Sequence, residues 1–437
     1  MSLMSASAQH AGGVRGDAAA IERYPLWEAL AAPRVSEVPA RTAVSAQGVH
    51  VGYADGSRAL CATSGLWNVN LGYGNHAVAK AVSDALLHVS YLSLFRNVHE
   101  PAVTAARALV QVSGADHFGR VLFSTSGGAA NDLTMKVARH YWALRGEEQR
   151  KVIVGLKGSY HGLTYGSHGL TGEQLGQPLY GVDRRYIRHV AHHDGGAELA
   201  ALLRREGHRV AAVVVEPVLG SGVFPLTDSF LATLQALRRE HGFLLVADEV
   251  ATGFGRTGRF FASECWQPRP DLLITSKGLT NGTCAAAALV VAHHVCDVFE
   301  HAGAVLVHGE TQAGTPPTCA AVVSTIAEME RLGALERART VSAGLDMLLS
   351  RLQGHPLVVG TRGVGCFRAL ELAQEGAALS PDAVTTAVAA IREAGVVVQP
   401  GPSCIQLVPA LVYEDADLQE LEAALATGLD RLAEALA

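Results

Sequence analysis

The chain has 437 residues, of which 49% are hydrophobic and 17% charged. A chain of this size can bury a large core and divide into two or three domains. Its formal net charge of −6 argues against a nucleic-acid-binding surface. No apolar run reaches the roughly 18–20 residues of a membrane span, no signal peptide is evident, and seven cysteines without a CxxC pair are typical of reduced thiols. We therefore expect a cytoplasmic globular protein whose small, polar residues 1–20 are disordered.

The predicted elements alternate between strands and helices along the chain. Residues 48–62 favour a hairpin with Asp55-Gly56 at its turn. Apolar periodicity predicts helices at about 76–90, 99–112, 129–144 and 227–241. Short apolar runs predict strands at 120–123, 151–155, 211–215, 243–248, 272–275 and 286–291. This alternation favours an α/β fold, in which helices flank both faces of a mostly parallel sheet.

The pattern changes after residue 316. Two long helices (about 317–353) come first, and a final acidic amphipathic helix covers 414–436. Between them the sequence predicts shorter strands at 357–362, 366–372, 396–399 and 405–408. This part of the chain is interpreted as a separate α+β domain. The predicted segments are an N-terminal arm and hairpin that pack with the small domain (1–75), a large domain (76–315) and a small C-terminal domain (316–437).

Two charged residues close two of the predicted strands. Asp248 ends the apolar run that begins at Phe243, and Lys277 follows the run that begins at Asp271. In sheets of this kind, ligands bind at the carboxyl ends of strands. A lysine can hold an aldehyde as a Schiff base, and an aspartate can keep a pyridine nitrogen protonated. The pair therefore points to pyridoxal phosphate, whose ring then acts as an electron sink.

A glycine-containing turn links strand 120–123 to the helix that follows. Free backbone N–H groups and the helix dipole make such a helix start an anion site, and Gly127 and Gly128 let a phosphate approach closely. By itself, the turn is more typical of an ordinary strand-to-helix connection capped by Ser126. Together with the aspartate and the lysine, it indicates a phosphate cup.

Two further motifs follow strands in the same way. Tyr160, in Tyr160-His161-Gly162, could stack on a cofactor ring, although a lone loop tyrosine more often only hydrogen-bonds through its hydroxyl. Glu216 ends a strand of three valines. Its carboxylate is therefore expected to be buried, to need a donor, and to orient the polar edge of a cofactor.

A GxGxxG match at 253–258 follows a strand, as a dinucleotide-binding turn would. The sequence behind it is too short and too aromatic for the required helix before Pro268, and no strand ending in an acid follows at the expected spacing. The histidine pairs 192–193 and 293–294 lack the i, i+4 spacing of a helical zinc site. We therefore expect neither a nicotinamide site nor a metal site.

Together, these motifs resemble the class III (omega-type) aminotransferases of pyridoxal phosphate fold type I. The matching segments stand in the family's order and spacing over roughly residues 60–410. They are residues 65–74, 160–162, 216–217, 248–258, 276–280, 308–316 and 362–365. The resemblance implies an α/β large domain with a mostly parallel sheet, a smaller α+β domain, and pyridoxal-phosphate-dependent amino transfer.

The resemblance also implies roles for individual residues. Lys277 would form the Schiff base and shuttle a proton between the substrate carbon and the cofactor, and Asp248 would face the pyridinium nitrogen. Val250 would pack under the ring, Tyr160 would stack on its other face, and Glu216 would support this network. The remaining implied cofactor contacts are Ser126, Gly127, Gly128 and His161.

Trp67 lies in the stretch that resembles the family's N-terminal substrate site. Thr311 would reach the phosphate of the other subunit, because sites in this family are shared across a dimer interface. The resemblance therefore implies an obligate homodimer with two-fold symmetry.

The phosphate loop departs from the family pattern. The usual Gly-Ser/Thr-Glu-Ala-Asn reads Gly127-Gly128-Ala129-Ala130-Asn131, so a hydroxyl donor and a nearby carboxylate are missing. Phosphate binding must then rely on backbone N–H groups. We expect pyridoxal phosphate to bind more weakly than is usual in the family.

The positions that hold a substrate carboxylate also depart from the family. Members that act on amino acids commonly carry an arginine before a Pro-Pro-Leu element, and here that position is Gln406. Many amine-type members carry a mobile arginine upstream, and that position aligns near Gln399. Neither glutamine can form a bidentate carboxylate pair, and residues 393–429 contain no arginine, although Arg256 could still bind a carboxylate. One substrate is therefore expected to lack a carboxylate.

We expect a ping-pong aminotransferase that uses a small amino donor and a carbonyl acceptor. Its specific substrate would be an amine, aldehyde or ketone, with natural-product or modified-peptide tailoring as one setting. One alternative is an aminomutase of the glutamate-semialdehyde type or a racemase, which would use Lys277 and Asp248 without a second substrate. Another alternative is a non-catalytic protein of the same fold, which would need neither residue.

Overall fold

The computed structural model describes residues 24–34, 36 and 38–436. The predicted disorder of 1–20 concerns residues outside this description. The described chain first forms three antiparallel strands, β1 (Ala43–Gln47), β2 (His50–Tyr53) and β3 (Arg58–Cys61). The predicted hairpin is present: Asp55 Oδ1 accepts a hydrogen bond from Ser57 N at 2.9 Å and so fixes the turn between β2 and β3.

Three helices lead from this small sheet to the centre of the molecule. They are α1 (Ser64–Trp67), α2 (His76–His88) and α3 (Glu100–Gly114). Helices α2 and α3 begin where the side chains of Asn75 and His99 each accept a backbone N–H of the first turn, at 3.1 and 3.2 Å. In α1, Gly65 and Leu66 have positive φ angles of 55° and 65°. This single turn is therefore irregular where it presents Trp67.

The central sheet is built from seven of the next nine strands. In chain order these nine are β4 (Phe118–Ser124), β5 (Val152–Leu156), β6 (Ile187–Val190), β7 (Val210–Val215), β8 (Val218–Leu219), β9 (Phe224–Pro225), β10 (Leu244–Asp248), β11 (Leu272–Ser276) and β12 (Ala287–Ala292). The sheet order is β4-β12-β11-β10-β7-β5-β6, while β8 and β9 pair with each other. Within the described part of this sheet β12 runs antiparallel to β11 and β4, and the other neighbouring pairs are parallel, so the sheet is mostly parallel, as predicted.

Helices cover both faces of this sheet. They are α4 (Gly127–Leu144), α5 (Tyr165–Leu170), α6 (Ala197–Glu206), α7 (Asp228–His241) and α8 (His293–Ala302). On β10, Val246 packs in the same apolar core as α4 and α8. Its neighbour Leu245 packs in the core that contains α6 and α7. Because successive strand residues face opposite sides, strands covered on both sides must be apolar throughout.

The C-terminal part of the chain adds a further sheet and four more helices. Its elements are α9 (Pro316–Arg331), α10 (Ala334–Leu352), β13 (Val358–Val364), β14 (Phe367–Gln374), β15 (Ala377–Ala378), α11 (Pro381–Glu393), β16 (Val396–Val397), β17 (Gln399–Gly401), β18 (Cys404–Leu407) and α12 (Asp415–Leu436). Strands β13, β14, β18 and β17 are neighbours in that order. None of the described helices is long and apolar enough to cross a lipid bilayer.

The prediction of one strand over 396–399 was wrong. Strand β16 pairs in parallel with β3 of the N-terminal sheet, with Val396 opposite Leu60. Strand β17 instead pairs antiparallel with β18, so the two halves of the predicted strand belong to different sheets. The apolar run continues through the crossing because Val396 and Val398 are both buried. The three-segment division of the chain stays a prediction.

Candidate active site

The carboxyl ends of three neighbouring strands meet on one side of the central sheet. Glu216 follows β7, Asp248 ends β10 and Lys277 follows β11. They line one cavity of about 730 Å³. The same cavity is lined by the other predicted site residues except Thr311, namely Trp67, Ser126, Gly127, Gly128, Tyr160, His161, Val250, Gln399 and Gln406.

Lys277 is the only lysine or arginine among the described residues of the cavity lining. Burial lowers the pKa of Lys277 to about 8, although the carboxylates of Glu216 and Asp248 oppose this change. Its Nζ lies 4.3 Å from the centroid of the Trp67 ring, a cation–π distance. Its backbone φ of +48° is unusual for a residue with a side chain. A lysine with a lowered pKa is an amine nucleophile at near-neutral pH.

Asp248 is held in a buried network of hydrogen bonds. Its Oδ2 accepts from Asn131 Nδ2 at 2.9 Å and lies 2.7 Å from His161 Nδ1, and its Oδ1 accepts from Val250 N at 3.2 Å. Burial lowers the pKa of His161, but the hydrogen bond to Asp248 and the negative charge of Asp248 outweigh it, so that the pKa lies above its usual value. These three contacts hold the buried carboxylate in one orientation.

The amino-terminal end of α4 faces the same cavity. Ser126 caps the helix, since its Oγ accepts from Ala129 N at 3.2 Å. The amides of Gly127 and Gly128 have no intrahelical acceptor at this position. A Cβ on Gly162 would lie 2.5 Å from the Cα of Gly128, and the φ of Gly162 is +117°, so this close approach requires glycine. The end of α4 is therefore shaped for an anion held by backbone N–H groups.

Glu216 links the end of β7 to two loops, one at Tyr160 and one at Gly220. Its Oε1 accepts from Tyr160 N at 2.9 Å, and its Oε2 accepts from Gly220 N at 3.0 Å. Burial, with a smaller contribution from Asp248, raises the pKa of Glu216 to about 7, whereas His161 opposes this rise. The carboxylate positions the backbone beside Tyr160, whose ring lines the cavity.

Gln399 and Gln406 stand opposite each other on β17 and β18. Gln406 is 2% exposed, and its Nε2 donates to the carbonyl of Gly220 at 3.2 Å. Its Oε1 has no hydrogen-bond partner among the described residues. Trp67 packs against Phe367 at a ring-centroid distance of 5.1 Å. This part of the cavity wall therefore carries no charge, and the buried Oε1 atom of Gln406 is left without a hydrogen-bond partner among the described residues.

Thr311 does not join this cavity within one chain. It is exposed, and its carbonyl accepts a hydrogen bond from Tyr91 Oη at 2.9 Å. A role at the site of a second copy therefore stays a prediction.

Arg256, which the sequence left open as a carboxylate ligand, is used elsewhere. It is fully buried and donates to the carbonyl of Pro409, to Asn70 Oδ1 at 2.6 Å and to Ser64 Oγ at 3.3 Å. It does not line the cavity. Its guanidinium ties the N-terminal segment to the C-terminal part of the chain.

Two residues of the cavity lining were missed as site residues. Asn131 lies one helical turn after Gly127, and this spacing in the phosphate-loop motif was the available signal for its contact with Asp248. Glu173 lies in the loop after α5, and no sequence pattern singles it out. Glu173 lines the cavity because the loop after α5 runs along the cavity.

The residues present fit pyridoxal phosphate. An acid at one strand end suits a pyridinium nitrogen, a lysine with a lowered pKa suits an aldehyde, and a glycine-containing helix start suits a phosphate. In addition, Asn131 Oδ1 and His161 Nε2 are buried polar atoms without partners among the described residues. Such atoms are typical of a lining that a polar group completes.

Comparisons with known proteins agree with this geometry. The family model for class III aminotransferases matches residues 31–429. A putrescine–pyruvate aminotransferase of Pseudomonas aeruginosa is 32% identical over 363 residues, which are 78% of this chain and 78% of that protein. An acetylornithine aminotransferase of Mycobacterium bovis is 32% identical over 409 residues, or 93% of this chain and 95% of that protein.

Solved structures give the same result. A transaminase from a marine Virgibacillus superposes with a TM-score of 0.87 at 26% identity, covering 91% of this chain and 94% of that one. An amine transaminase from an uncultivated Pseudomonas species, in its pyridoxal-phosphate-bound form, has a TM-score of 0.85 at 27% identity and covers 94% and 100%. The expected resemblance, the fold type I architecture and the cofactor are confirmed.

Proposed function

The chain belongs to the class III aminotransferases, which transfer amino groups with the help of pyridoxal phosphate, and we propose that at least one of its two substrates is an amine, aldehyde or ketone without a carboxylate at the reacting carbon. The observation that carries this proposal is the composition of the cavity wall. The described lining contains no arginine. The resemblance aligns the family's two arginine positions with Gln406 and near Gln399.

A glutamine cannot replace arginine as a carboxylate ligand. Arginine offers two parallel charged N–H donors, whereas an amide offers one neutral NH₂ group and an acceptor oxygen that repels a carboxylate. Gln406 already donates to Gly220, so its oxygen is the atom left without a partner. A neutral hydrogen-bond donor on the substrate satisfies that oxygen, whereas a carboxylate does not.

The roles of the remaining residues follow from their positions. Bound pyridoxal phosphate supplies an electron sink that stabilises negative charge on the substrate carbon. Lys277 Nζ takes the proton from that carbon and returns it. Asp248, oriented by His161 and Asn131, keeps a proton on the ring nitrogen. Backbone N–H groups at the start of α4 would hold the phosphate, in a cup formed by Ser126, Gly127 and Gly128.

The cavity mouth is apolar, which supports a substrate that extends beyond the reacting group. Lining residues there include Leu30, Leu66, Leu163 and Leu175, and the first three are at least 38% exposed. We propose that a carbonyl carried by a natural product or a modified peptide terminus enters past these side chains. The donor is a smaller amine that uses the same cavity in turn.

We also propose that the working form is a homodimer with shared sites. Phe95, Val305 and Val307 are large apolar residues that are 54%, 77% and 83% exposed, and they lie in the same stretches of the chain as Tyr91 and Thr311. A second copy would bury such side chains. Size-exclusion chromatography with light scattering is expected to give twice the mass of one chain. A Phe95→Glu variant is expected to shift that mass towards the monomer, and an unshifted monomer mass in the wild type would contradict the proposal.

The test of the function is a spectral titration of the protein loaded with pyridoxal phosphate. The visible absorption band of the cofactor is followed as 2-aminobutane or L-alanine is added, since these donors differ by an ethyl group in place of a carboxylate. We expect 2-aminobutane to bleach the band and a ketone acceptor to restore it. Bleaching by carboxylate-bearing donors alone, with the band restored by carboxylate-bearing acceptors alone, would contradict the proposal.

The same titration separates the two alternative functions. A band that forms but is bleached by no donor would favour an aminomutase or racemase. A wild-type protein with no band, like its Lys277→Ala variant, would favour a non-catalytic protein of the same fold.

A further inference from the structure

Glu173 is a half-buried carboxylate in the cavity lining that has no side-chain hydrogen bond and no ion pair within the described residues. We propose that Glu173 binds a second cationic group on the amine substrate, so that the favoured amino donor is a diamine whose far ammonium lies against this carboxylate. This inference rests on the proposed function and names the substrate class of the same site.

The loop that carries Glu173 is firmly anchored. The buried side chain of Gln177 donates to the carbonyl of Glu173 at 2.6 Å and accepts from Leu175 N at 2.9 Å. The backbone N–H of Glu173 donates to the carbonyl of Ser159 at 3.3 Å. A Cβ on the preceding Gly172 would lie 1.9 Å from the carbonyl oxygen of Leu156, so the loop packs directly on the end of β5. The Glu173 side chain therefore starts from a fixed point at the cavity.

The charges of the cavity lining leave Glu173 without a counter-ion. The other charged lining residues are Glu216, Asp248 and Lys277. Glu216 accepts two backbone N–H groups, and Asp248 is paired with His161. Lys277 is the reacting amine. A partly desolvated carboxylate attracts an ammonium more strongly than a fully solvated one does.

Tyr160 provides a second surface for the same cation. Tyr160 and Glu173 line the same cavity, and the backbone N–H of Glu173 donates to the residue that precedes Tyr160. Burial, and after it the charges of Glu173 and Glu216, raise the pKa of the Tyr160 phenol. An ammonium between a carboxylate and an aromatic face gains both a charge–charge and a cation–π interaction. A primary ammonium with a usual pKa near 10.4 is charged at pH 8, so a diamine presents this group.

The test compares two donors that differ only in the far ammonium. The visible band of the loaded protein is titrated with 1,4-diaminobutane and with n-butylamine at pH 8, and the concentration of half-maximal bleaching rate is measured. We expect the diamine to saturate the protein at a concentration at least about ten times lower, since one desolvated ion pair of roughly 1.4 kcal/mol gives this factor. In Glu173→Gln the two donors should become equivalent. Added salt should reduce the wild-type preference only modestly, because a partly buried charge pair is screened less than an exposed one.

The controls keep the outcomes apart. Glu148→Gln removes an exposed carboxylate outside the cavity and should leave the preference unchanged. Equal saturation by both donors in the wild type overturns the diamine inference while leaving the proposed function intact, because n-butylamine still bleaches the band. A preference that survives in Glu173→Gln overturns the role of this carboxylate. Bleaching by neither amine would instead count against the proposed function.

Discussion

The two ends of the cavity are built on opposite principles. At the end formed by Asp248, His161, Asn131 and the start of α4, called here the cofactor end, the carboxylate and its partners are buried and hydrogen-bonded. At the end formed by Trp67, Glu173, Gln399 and Gln406, called the substrate end, polar atoms stand without partners among the described residues. At the cofactor end the carboxylate of Asp248 is fixed by its partners, and Asn131 Oδ1 and His161 Nε2 are left for a bound group. At the substrate end no such fixed carboxylate stands among the four residues.

This difference predicts which property of the reaction each end controls. Both oxygens of the Asp248 carboxylate have hydrogen-bond partners, and a buried carboxylate held in this way tolerates few residue types around it, so the cofactor end defines the chemistry that the chain shares with its family. Unsatisfied polar atoms favour a partner of matching chemistry, so the substrate end defines specificity. Substitutions at the cofactor end should therefore reduce the reaction for all substrates, and substitutions at the substrate end should change only the ratio between substrates.

The largest effect is expected at Lys277. Replacing it by alanine removes the amine that holds the aldehyde and moves the proton, so turnover should fall by about 10³-fold or more. The visible band should also be lost, because no lysine remains in the described lining. The exposed Lys151 offers the control: Lys151→Ala should retain both the band and the turnover. A retained band in Lys277→Ala would show that another residue holds the cofactor.

A smaller loss is expected at His161. In His161→Leu the Asp248 carboxylate loses its closest donor in a buried setting, so turnover should fall about 10- to 100-fold for every donor. The pH titration of the bound cofactor's absorption should shift as well, which simple loss of folded protein would not cause. His161→Asn keeps an N–H donor and should recover part of the activity. A change confined to one donor would break the distinction between the two ends.

At Gln399 we expect a substitution to change the preference between two donors without reducing the activity towards both. This residue is half-buried, so an arginine has more space there than at the buried Gln406. Gln399→Arg should raise the preference for L-alanine over 2-aminobutane about tenfold through a charged hydrogen bond to the carboxylate. Titrations of the wild-type protein and of Gln399→Arg with each donor give this preference directly. An equal loss for both donors would show that the substitution disturbs the cofactor end.

The smallest effect is expected in the pH dependence of cofactor capture. Only the neutral amine of Lys277 reacts, so the rate of pyridoxal phosphate capture by cofactor-free protein should rise with pH and level off above the lysine pKa of about 8. The Glu216 carboxylate holds that pKa up, because it stabilises the ammonium. Glu216→Gln should therefore move the midpoint to lower pH by less than about one unit. Glu148→Gln should not move it, and a midpoint that rises in Glu216→Gln would contradict the assignment.

Much of the fold and of the cofactor end could be predicted because backbone geometry leaves a mark on the sequence. Strands β7, β10 and β12 are buried on both faces and so appear as continuous apolar runs. Strand β6 at the sheet edge, whose four residues include an arginine and a histidine, lacks this mark and was not predicted. Helices α6 and α11 were also not predicted, although both are amphipathic.

Fewer residues of the substrate end could be predicted from the sequence. Gln399 and Gln406 could be located only as substitutions in a family pattern, and their position opposite each other depends on the register of two short strands. The role proposed for Glu173 depends on a loop held by the side chain of Gln177, a contact that no spacing rule predicts. Local sequence patterns predict single helices and strands. The substrate end instead depends on contacts between elements that are separate in the chain, and local patterns do not predict such contacts.

The parallel pairing of β16 with β3 has a consequence for the order in which the protein folds. The two strands complete one small sheet, yet about three quarters of the chain separates them. At a ribosomal rate of ~5–20 residues per second, β3 is synthesised tens of seconds before its partner. During that time one edge of β3 presents unpaired backbone groups, which makes the nascent N-terminal segment a site for chaperone binding or aggregation. A truncation that ends before residue 396 would make this exposed edge permanent.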